Sequence, residues 1–566
     1  MQEPVVCFLA EDCVLLTFGA GMSDAAWRQV MSVQQQLETN PFTGFREAVP
    51  SYNSLAVYFA APETVASIVS TIRQQVDLRA AAPQLEGALH EIPVYYAPET
   101  GPDLLPIARQ LQVTVEELVQ KHSSQPYRVY VTGFLPGFPY MGGLPPALYT
   151  QRKQQPRVSV PAGSVAIAGH QTGIYPFASP GGWNLIGQTP VPLFRPDAAQ
   201  PFLLKAGDTV RFVPITKEAW EQQQPSPVKE QKKMPTGTDL LLEVEQCGFL
   251  STLQDPGRTG HRQYGVSRCG AADTVAAITA NLLVGNTPDE TVLEITQSPH
   301  RLHIFTDVVA AFSGGGLQPE VNGLPLPFNG PVLLKAGSSL DLRRQRPGYR
   351  LYMAVAGGFA ASSFLQSSAT DLRMQVGGLN GKALQKGDQL FRQEPLTPHQ
   401  LQLKELCAQA SITFPVPDSP AQQETLRILE GPEWKELDAA SRESFCNQLF
   451  TIGRQSSRMG CRISGTAPLK FTGEEMVSAP VTEGTVQLTP SGECMILLAD
   501  GQTIGGYPRI AQVIKADLPV LAQKKPGDPI RFEFISLQEA VQLYEEQQES
   551  LQQLASTLAC MYESRS

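Results

Sequence analysis

No pair of cysteines in this chain stands at Cys-x-x-Cys spacing. Nine are scattered from Cys7 to Cys560, an odd number, which argues against both a disulfide framework and a zinc cluster. Histidine is scarce, at seven, and no two form a His-x-x-x-His pair; no structural metal is expected. Positive charge is in the minority, the net charge being -10. A nucleic-acid or anionic-membrane surface would need a basic face, so neither partner is expected. No apolar run approaches the ~18 residues of a membrane span. Met1-Gln-Glu-Pro-Val-Val6 lacks the basic start and apolar core of a signal peptide, so a cytoplasmic location is expected.

What is present is a 566-residue chain with 42% hydrophobic and 17% charged residues, the composition of a globular protein of about four domains. Its most informative feature is a repeat. Pro161-Ala-Gly-Ser-Val165, Gly181-Gly-Trp183 and Gly207-Asp-Thr-Val-Arg-Phe212 return in the same order as Glu483-Gly-Thr-Val486, Gly505-Gly-Tyr507 and Gly527-Asp-Pro-Ile-Arg-Phe532. Glycines that interrupt apolar strands mark sharp turns or close backbone approach. The spacing predicts one β-rich module used at least twice.

Residues 13–85 read as strand, helix, strand, helix, the helices covering Asp24 to Leu37 and Thr64 to Val76. Thr114-Val-Glu-Glu117 is a capping box opening another helix. From about residue 125 short strands punctuated by Gly and Pro predict a β-barrel. Glu218 to Thr238 and Glu394 to Gln423 are polar and read as connectors. Ser536 caps a last helix with a stripe of Leu537, Val541, Tyr544, Leu551 and Leu554, expected to pack on the last barrel. The expected fold class is α+β and β-rich. Its units are an α+β domain at 1–90, a barrel at 91–217, a linker at 218–238, a subdomain at 239–395, a connecting segment at 396–424, a second barrel-type subdomain at 425–536 and a helix at 537–566.

Standard enzyme signatures fail on inspection. Gly377-Gly-Leu-Asn-Gly-Lys-Ala383 is one residue short between glycines for a phosphate loop and has Ala where Ser or Thr should bind Mg²⁺. Gly19-Ala-Gly-Met-Ser-Asp24 lacks the third glycine of a dinucleotide fingerprint, and no Gly-x-Ser-x-Gly elbow exists. Cys269, Cys461 and Cys494 are read as buried core residues before nucleophiles. Gly133–Pro146, dense in Gly and Pro, holds no acid or base; Phe134, Phe138 and Tyr140 are expected to form a pocket wall there. Arg157, His170, Gln171, Tyr175, Trp183 and Asn184 join them as candidate binding residues, His170 being the candidate neutral-pH base. In the second half Asp255, Arg258, Arg458, Asp500, Gln502 and Tyr507 are the catalytic candidates, with Arg462, Thr503 and Arg509 as binding candidates. Arginine offers a fork for carboxylate or phosphate, and Asp can orient a base. Arg458, Asp500, Gln502 and Tyr507 are expected to converge on one cleft facing residues 255–273.

These blocks also carry a family resemblance. With Gly133-Phe-Leu-Pro-Gly-Phe-Pro-Tyr-Met141, the first half resembles the family of allophanate hydrolase subunit 1, the Kip inhibitor and the 5-oxoprolinase B subunits. Leu253-Gln-Asp-Pro-Gly-Arg258, Asn281-Leu-Leu-Val-Gly-Asn286, Leu293-Glu-Ile-Thr296, Ala356-Gly-Gly358, Ser457-Arg-Met-Gly460 and Asp500-Gly-Gln-Thr-Ile-Gly-Gly-Tyr-Pro508 resemble the family of allophanate hydrolase subunit 2 and the 5-oxoprolinase C subunits. The likeness spans roughly 10–215 and 240–535. It implies cyclophilin-like barrels and a fused B–C component of an ATP-dependent 5-oxoprolinase, a hydrolase that opens 5-oxo-L-proline to L-glutamate. It further implies ATP and Mg²⁺ as cofactors and a third subunit of the lactam-utilisation family as partner; a homo-oligomer is compatible. The biotin-attachment Met-Lys-Met and the amidase signature are missing, so no covalent biotin is expected. The rival readings are a carboxyltransferase using biotin in trans and a regulatory inhibitor of a sensor kinase. Ser368 stands where the family has Arg, and Ala479 where it has an acid.

Overall fold

The computed structural model describes residues 3–19, 21–60, 65–79, 87–224, 237–328, 330–414, 420–474 and 476–563. The fold is mixed and strand-rich, with barrel-like sheets. The chain opens with an antiparallel sheet ordered Val5–Ala10, Cys13–Thr17, Ser54–Phe59, Phe45–Pro50. Its two outer strands escaped the sequence reading. Cys13–Thr17 lacks alternation because both of its faces are buried. Val14 and Leu16 meet Val30 and Val33 of the helix Asp24–Thr39. Cys13 and Leu15 face Phe138 and Tyr140 across the sheet. Ser23 starts that helix by accepting from the Ala26 amide at 3.1 Å. A second helix, Val65–Gln75, covers the same face.

The repeat is a repeat of topology. The first barrel uses, in chain order, Leu89–Val94, Tyr127–Thr132, Pro139–Gly142, Ser164–Ala168, Gln171–Ile174, Asn184–Gln188 and Thr209–Pro214. The second uses Thr425–Glu430, Phe450–Ile452, Gly460–Ser464, Thr485–Leu488, Cys494–Leu497, Arg509–Val513 and Pro529–Phe534. In both, the first strand neighbours the sixth, then follow the fourth, fifth, third, second and seventh. The seventh returns parallel to the first. The first barrel is closed by the bridge between Tyr95 and Gln188. A full sheet circle leaves no edge for aggregation.

The repeated glycines do the same work in both copies. Gly163 and Gly484 sit at φ +77° and +88°, and the carbonyl of each accepts a backbone hydrogen bond at 2.9 Å from the end of its sixth strand or the residue after it, from the amides of Thr189 and Val513. Asp208 and Asp528 accept from the amides of Lys205 and Lys525 at 3.1 and 3.0 Å, turning the chain into the seventh strand. A third copy of this turn, missed in the sequence, precedes Gln389–Phe391, where Asp388 accepts from Gln385 at 2.7 Å. A methyl group on Gly484 would lie 2.7 Å from the Val513 carbonyl oxygen. Gly484→Ala is therefore expected to cost about 1–3 kcal/mol, read as a lowered urea midpoint. Gly323→Ala, with open space around it, should lose only the backbone-strain part.

Between the barrels lie two packed sheets. One runs Leu324–Pro325, Leu317–Val321, Ser339–Gln345, His300–Ile304, Leu240–Gln246, Gln389–Phe391; the other Ser251–Gln254, Val292–Thr296, Arg350–Val355, Val308–Gly314, Val332–Leu334. Leu302, Phe312, Leu342 and Met353 fill the space between them. The outer face of the second sheet is covered by the helices Thr274–Leu283 and Pro398–Gln409.

Three expectations need correction. The stretch at 218–238 is not all connector, since Lys217–Gln223 is a helix capped by Thr216; residues 225–236 lie outside the described residues. The segment at 396–424 carries the helix Pro398–Gln409, whose Leu403 is buried against the sheet; 415–419 lie outside the described residues. The last helix, Leu537–Glu563, sits on the second barrel only at its start, through Leu537, Ala540 and Leu543. Its Leu554 and Leu558 pack beside Ala276 and Ala280. Among the described residues, no helix is long and apolar enough to cross a membrane.

The halves interlock. Ile504 of the second half is buried in one cluster with Tyr52, Phe138 and Trp183. Arg262 pairs with Glu47 and lies 4.5 Å over the Tyr58 ring. Lys515 pairs with Asp12, and its amide donates to Glu11 at 2.7 Å.

Candidate functional site

The sequence-selected residues separate into three places. The aromatic set is interior. Phe138, Tyr140, Tyr175 and Trp183 are all buried, with Phe138 4.8 Å from Tyr140, 5.1 Å from Tyr175 and 5.5 Å from Trp183, ring centre to ring centre. Phe134 meets Phe138 edge-on at 6.0 Å. These rings form a packed cluster where a pocket wall was expected. Burial raises the Tyr140 and Tyr175 hydroxyls to about 12. Gln171, also buried, bonds the Tyr52 hydroxyl, and Asn184 donates to the Gln151 carbonyl at 2.8 Å. His170 is exposed, its ring 4.8 Å from Tyr149; among the described residues, no carboxylate or nucleophile orients it as a base. Arg157 pairs with Asp103 at 2.8 Å.

A second group holds loops and strand ends together. Asp255 accepts from the Gly257 amide, the Ser367 hydroxyl and the Ser368 amide at 2.7, 2.8 and 2.6 Å. Ser368, the departure from the family, thus holds Asp255 through its amide and its hydroxyl. Ala479 is buried opposite Gly505 in a short strand pair. Arg258 is buried on the carbonyls of Phe364 and Ala369. Arg509 forks Glu433 at 3.0 and 2.6 Å and donates to Pro480 at 2.8 Å. Thr503 is buried, while Arg462 and Tyr507 face outward. Gln502 donates to Gln487 at 3.4 Å.

The third place is a charged junction between the second barrel and the middle sheets. The Arg458 guanidinium donates to both Asp500 oxygens at 3.0 and 2.9 Å, to the Gly270 carbonyl at 2.5 Å, and to Glu294. The Glu294 carboxylate also accepts from the Tyr352 hydroxyl at 2.7 Å and the Ala272 amide at 3.0 Å. Tyr352 in turn accepts from the Asp273 amide at 2.8 Å, and Asp273 accepts from Gln523 at 2.7 Å. Burial disfavours the Glu294 anion, but Arg458 and Arg350 outweigh it and hold its carboxyl below the ordinary value. Burial likewise opposes the Arg458 cation, and Asp500 and Glu294 outweigh it. For Asp273 burial wins, lifting it to about 6.

Of the four residues expected to converge, Arg458 and Asp500 do, facing Gly270 as anticipated; Gln502 and Tyr507 do not. A cavity of about 370 Å³ opens beside the pair, lined also by Arg350, Asp371, Arg373 and Lys524. Sequence reasoning passed over Glu294, Tyr352, Arg350 and Arg373. Glu294 was open to detection as a lone acid inside the apolar run Val292-Leu-Glu-Ile295. The cysteines are poor nucleophiles: burial pushes Cys461 to about 11, Cys494 to about 12, and Cys269 well above its ordinary value.

Residues 4–204 match the carboxyltransferase domain, subdomain C and D, and residues 264–534 match the carboxyltransferase domain, subdomain A and B. The chain belongs to the carboxyltransferase-domain family. Its second half is 36% identical to the 5-oxoprolinase C subunit of Escherichia coli over 56% of this chain and 98% of that one. Its first half is 39% identical to the 5-oxoprolinase B subunit of Bacillus subtilis over 37% of this chain and 92% of that one. The crystal structure of TTHA0988 covers 92% of this chain and 99% of its own, at 34% identity and a TM-score of 0.79. The carboxyltransferase-type architecture thus includes both halves in one polypeptide.

Proposed function

We propose that this chain is the fused B–C component of a cytosolic, ATP-dependent 5-oxoprolinase. The observation that carries this reading is the near full-length likeness, in one chain, to proteins named as the B and C subunits of 5-oxoprolinase. A five-membered lactam is a poor electrophile, and ATP, when bound, would supply the means to turn its oxygen into a leaving group. Such chemistry asks for positioning and positive charge more than for a protein nucleophile, which suits a site whose cysteines are held protonated. The segment Gly377–Ala383 is followed by no helix until Pro398, so it cannot cradle phosphates as a phosphate loop does. Among the described residues, no group of three or more His, Cys, Asp or Glu could hold a metal ion. We therefore assign Mg²⁺ and nucleotide to a site completed with the third subunit, where Mg²⁺ keeps phosphate and water ligands.

The purified chain with ATP and 5-oxo-L-proline is expected to release little glutamate, and to turn over once the third subunit is added. The family name favours a second reading, carboxyl transfer from biotin supplied in trans. Biotin-dependent carboxylation, with no glutamate even in the presence of the third subunit, would establish that reading. Inhibition of a sensor kinase without turnover would establish the regulator.

A further inference from the structure

We propose that the cavity beside Arg458 is a binding site for a compact monocarboxylate with an apolar ring, which, resting on the 5-oxoprolinase reading, is 5-oxo-L-proline. The walls are of two kinds. Arg373 spends one guanidinium nitrogen on the Ser267 hydroxyl at 2.7 Å and the Asp500 carbonyl at 2.9 Å. Its other terminal nitrogen is buried and makes no hydrogen bond, as is the Nε of Arg350. Arg350 is itself buried, and its nearest carboxylate, Glu294, is 3.8 Å away and already engaged by Arg458 and Tyr352. Neither of these two nitrogens has exposed surface, so they stand behind the wall. What the cavity meets is the positive charge of the two guanidinium groups that line it, and a guanidinium matches a carboxylate.

The mouth is apolar. Phe249, Leu372 and Met459 line the cavity and are 82%, 40% and 41% exposed to solvent. Isolated exposed apolar side chains are ordinary; three around one charged cavity describe a ligand with an apolar body and a charged end. The anions on the walls set the charge of that end. Asp371 and Asp500 line the same space. Burial opposes the Asp371 anion, but Arg373, the Met374 amide and Arg258 outweigh it and hold it ionised. Two fixed carboxylates repel a dianion such as phosphate and tolerate a single negative charge placed between Arg350 and Arg373. The volume, about 370 Å³, lies at the low end of small-molecule sites, roughly 300–1,000 Å³, which suits a five-membered ring acid.

The test separates the site from the reaction. Cyclopentanecarboxylate, 5-oxo-L-proline and 2-pyrrolidinone are titrated into the intact chain by calorimetry. The two acids should bind and compete, and the uncharged lactam should bind at least tenfold more weakly. Arg373→Met should weaken both acids at least tenfold, with Arg373→Lys recovering part. Leu372→Glu, at an exposed position that leaves the buried bonds in place, should do the same by repelling the carboxylate. Equal binding of 2-pyrrolidinone, no binding of either acid, or binding of the acids unchanged by Leu372→Glu would overturn the site. Binding that follows this pattern while the complete complex forms no glutamate would leave the site standing and remove the 5-oxoprolinase reading. Glutamate formation with a KM untouched by Leu372→Glu would do the reverse.

Discussion

Arg458→Met is expected to cost the second half about 3–5 kcal/mol, the usual effect of removing one partner from a buried ion pair. The substitution leaves Glu294, 1% exposed, without its strongest counter-charge and strips Asp500 of a two-point bond. It also frees the Gly270 carbonyl, which ties residues 255–273 to the barrel. The urea midpoint should fall, and the double variant Arg458→Met with Glu294→Gln should regain a large part of the loss, because the stranded anion is then gone. Arg458→Lys keeps a charge but cannot fork, so it should be milder for stability and still severe for glutamate formation with the third subunit. An unchanged midpoint in Arg458→Met would show that the network contributes nothing to the fold.

Glu11→Gln should stabilise the chain at neutral and alkaline pH. Burial pushes the Glu11 carboxyl from 4.5 to about 7, against the opposing pull of the Lys515 amide and side chain. A raised carboxyl favours the folded state while it is protonated. Stability is greatest below the unfolded value near 4.5, declines as pH rises to about 7, and is level above that. The shift corresponds to about 3 kcal/mol at pH 8. The glutamine keeps an acceptor for the Lys515 amide and carries no charge, so variant and parent should agree at pH 4 and diverge through pH 5–7. Asp273, raised to about 6, adds a decline of the same sign to both proteins and cancels in the difference. Parallel pH profiles would contradict the assignment. Because Glu11 and Lys515 belong to opposite halves, the same variant should also tighten the contact between them.

The repeat was legible because its signals are local. A glycine at positive φ and an aspartate turning back on an amide three residues earlier depend on neighbours in the chain. Gly163, Gly484, Asp208 and Asp528 therefore announced matching barrels before any contact was known. The third turn, at Asp388, was missed because the strand after it is short and lacks the Val-Arg-Phe continuation. The edge strands Val5–Ala10 and Phe45–Pro50 were missed for a different reason: only the pairing partners distinguish them from loop.

What the sequence by itself determined is the class, the duplicated module and the membership of the family. The class and the module follow from composition, spacing and turn chemistry, which act over a few residues; the family follows from the resemblance of its motifs. The tertiary structure alone decided which polar residues meet. Arg458 and Glu294 are separated by 164 positions, and no periodicity links an arginine in the turn before Gly460–Ser464 to a glutamate within Val292–Thr296. The same physics explains the aromatic residues. Phe138, Tyr140 and Trp183 have the chemistry of a pocket wall and of a packed core alike, and only the sheet laid across them, with Tyr52 and Leu15, made them core.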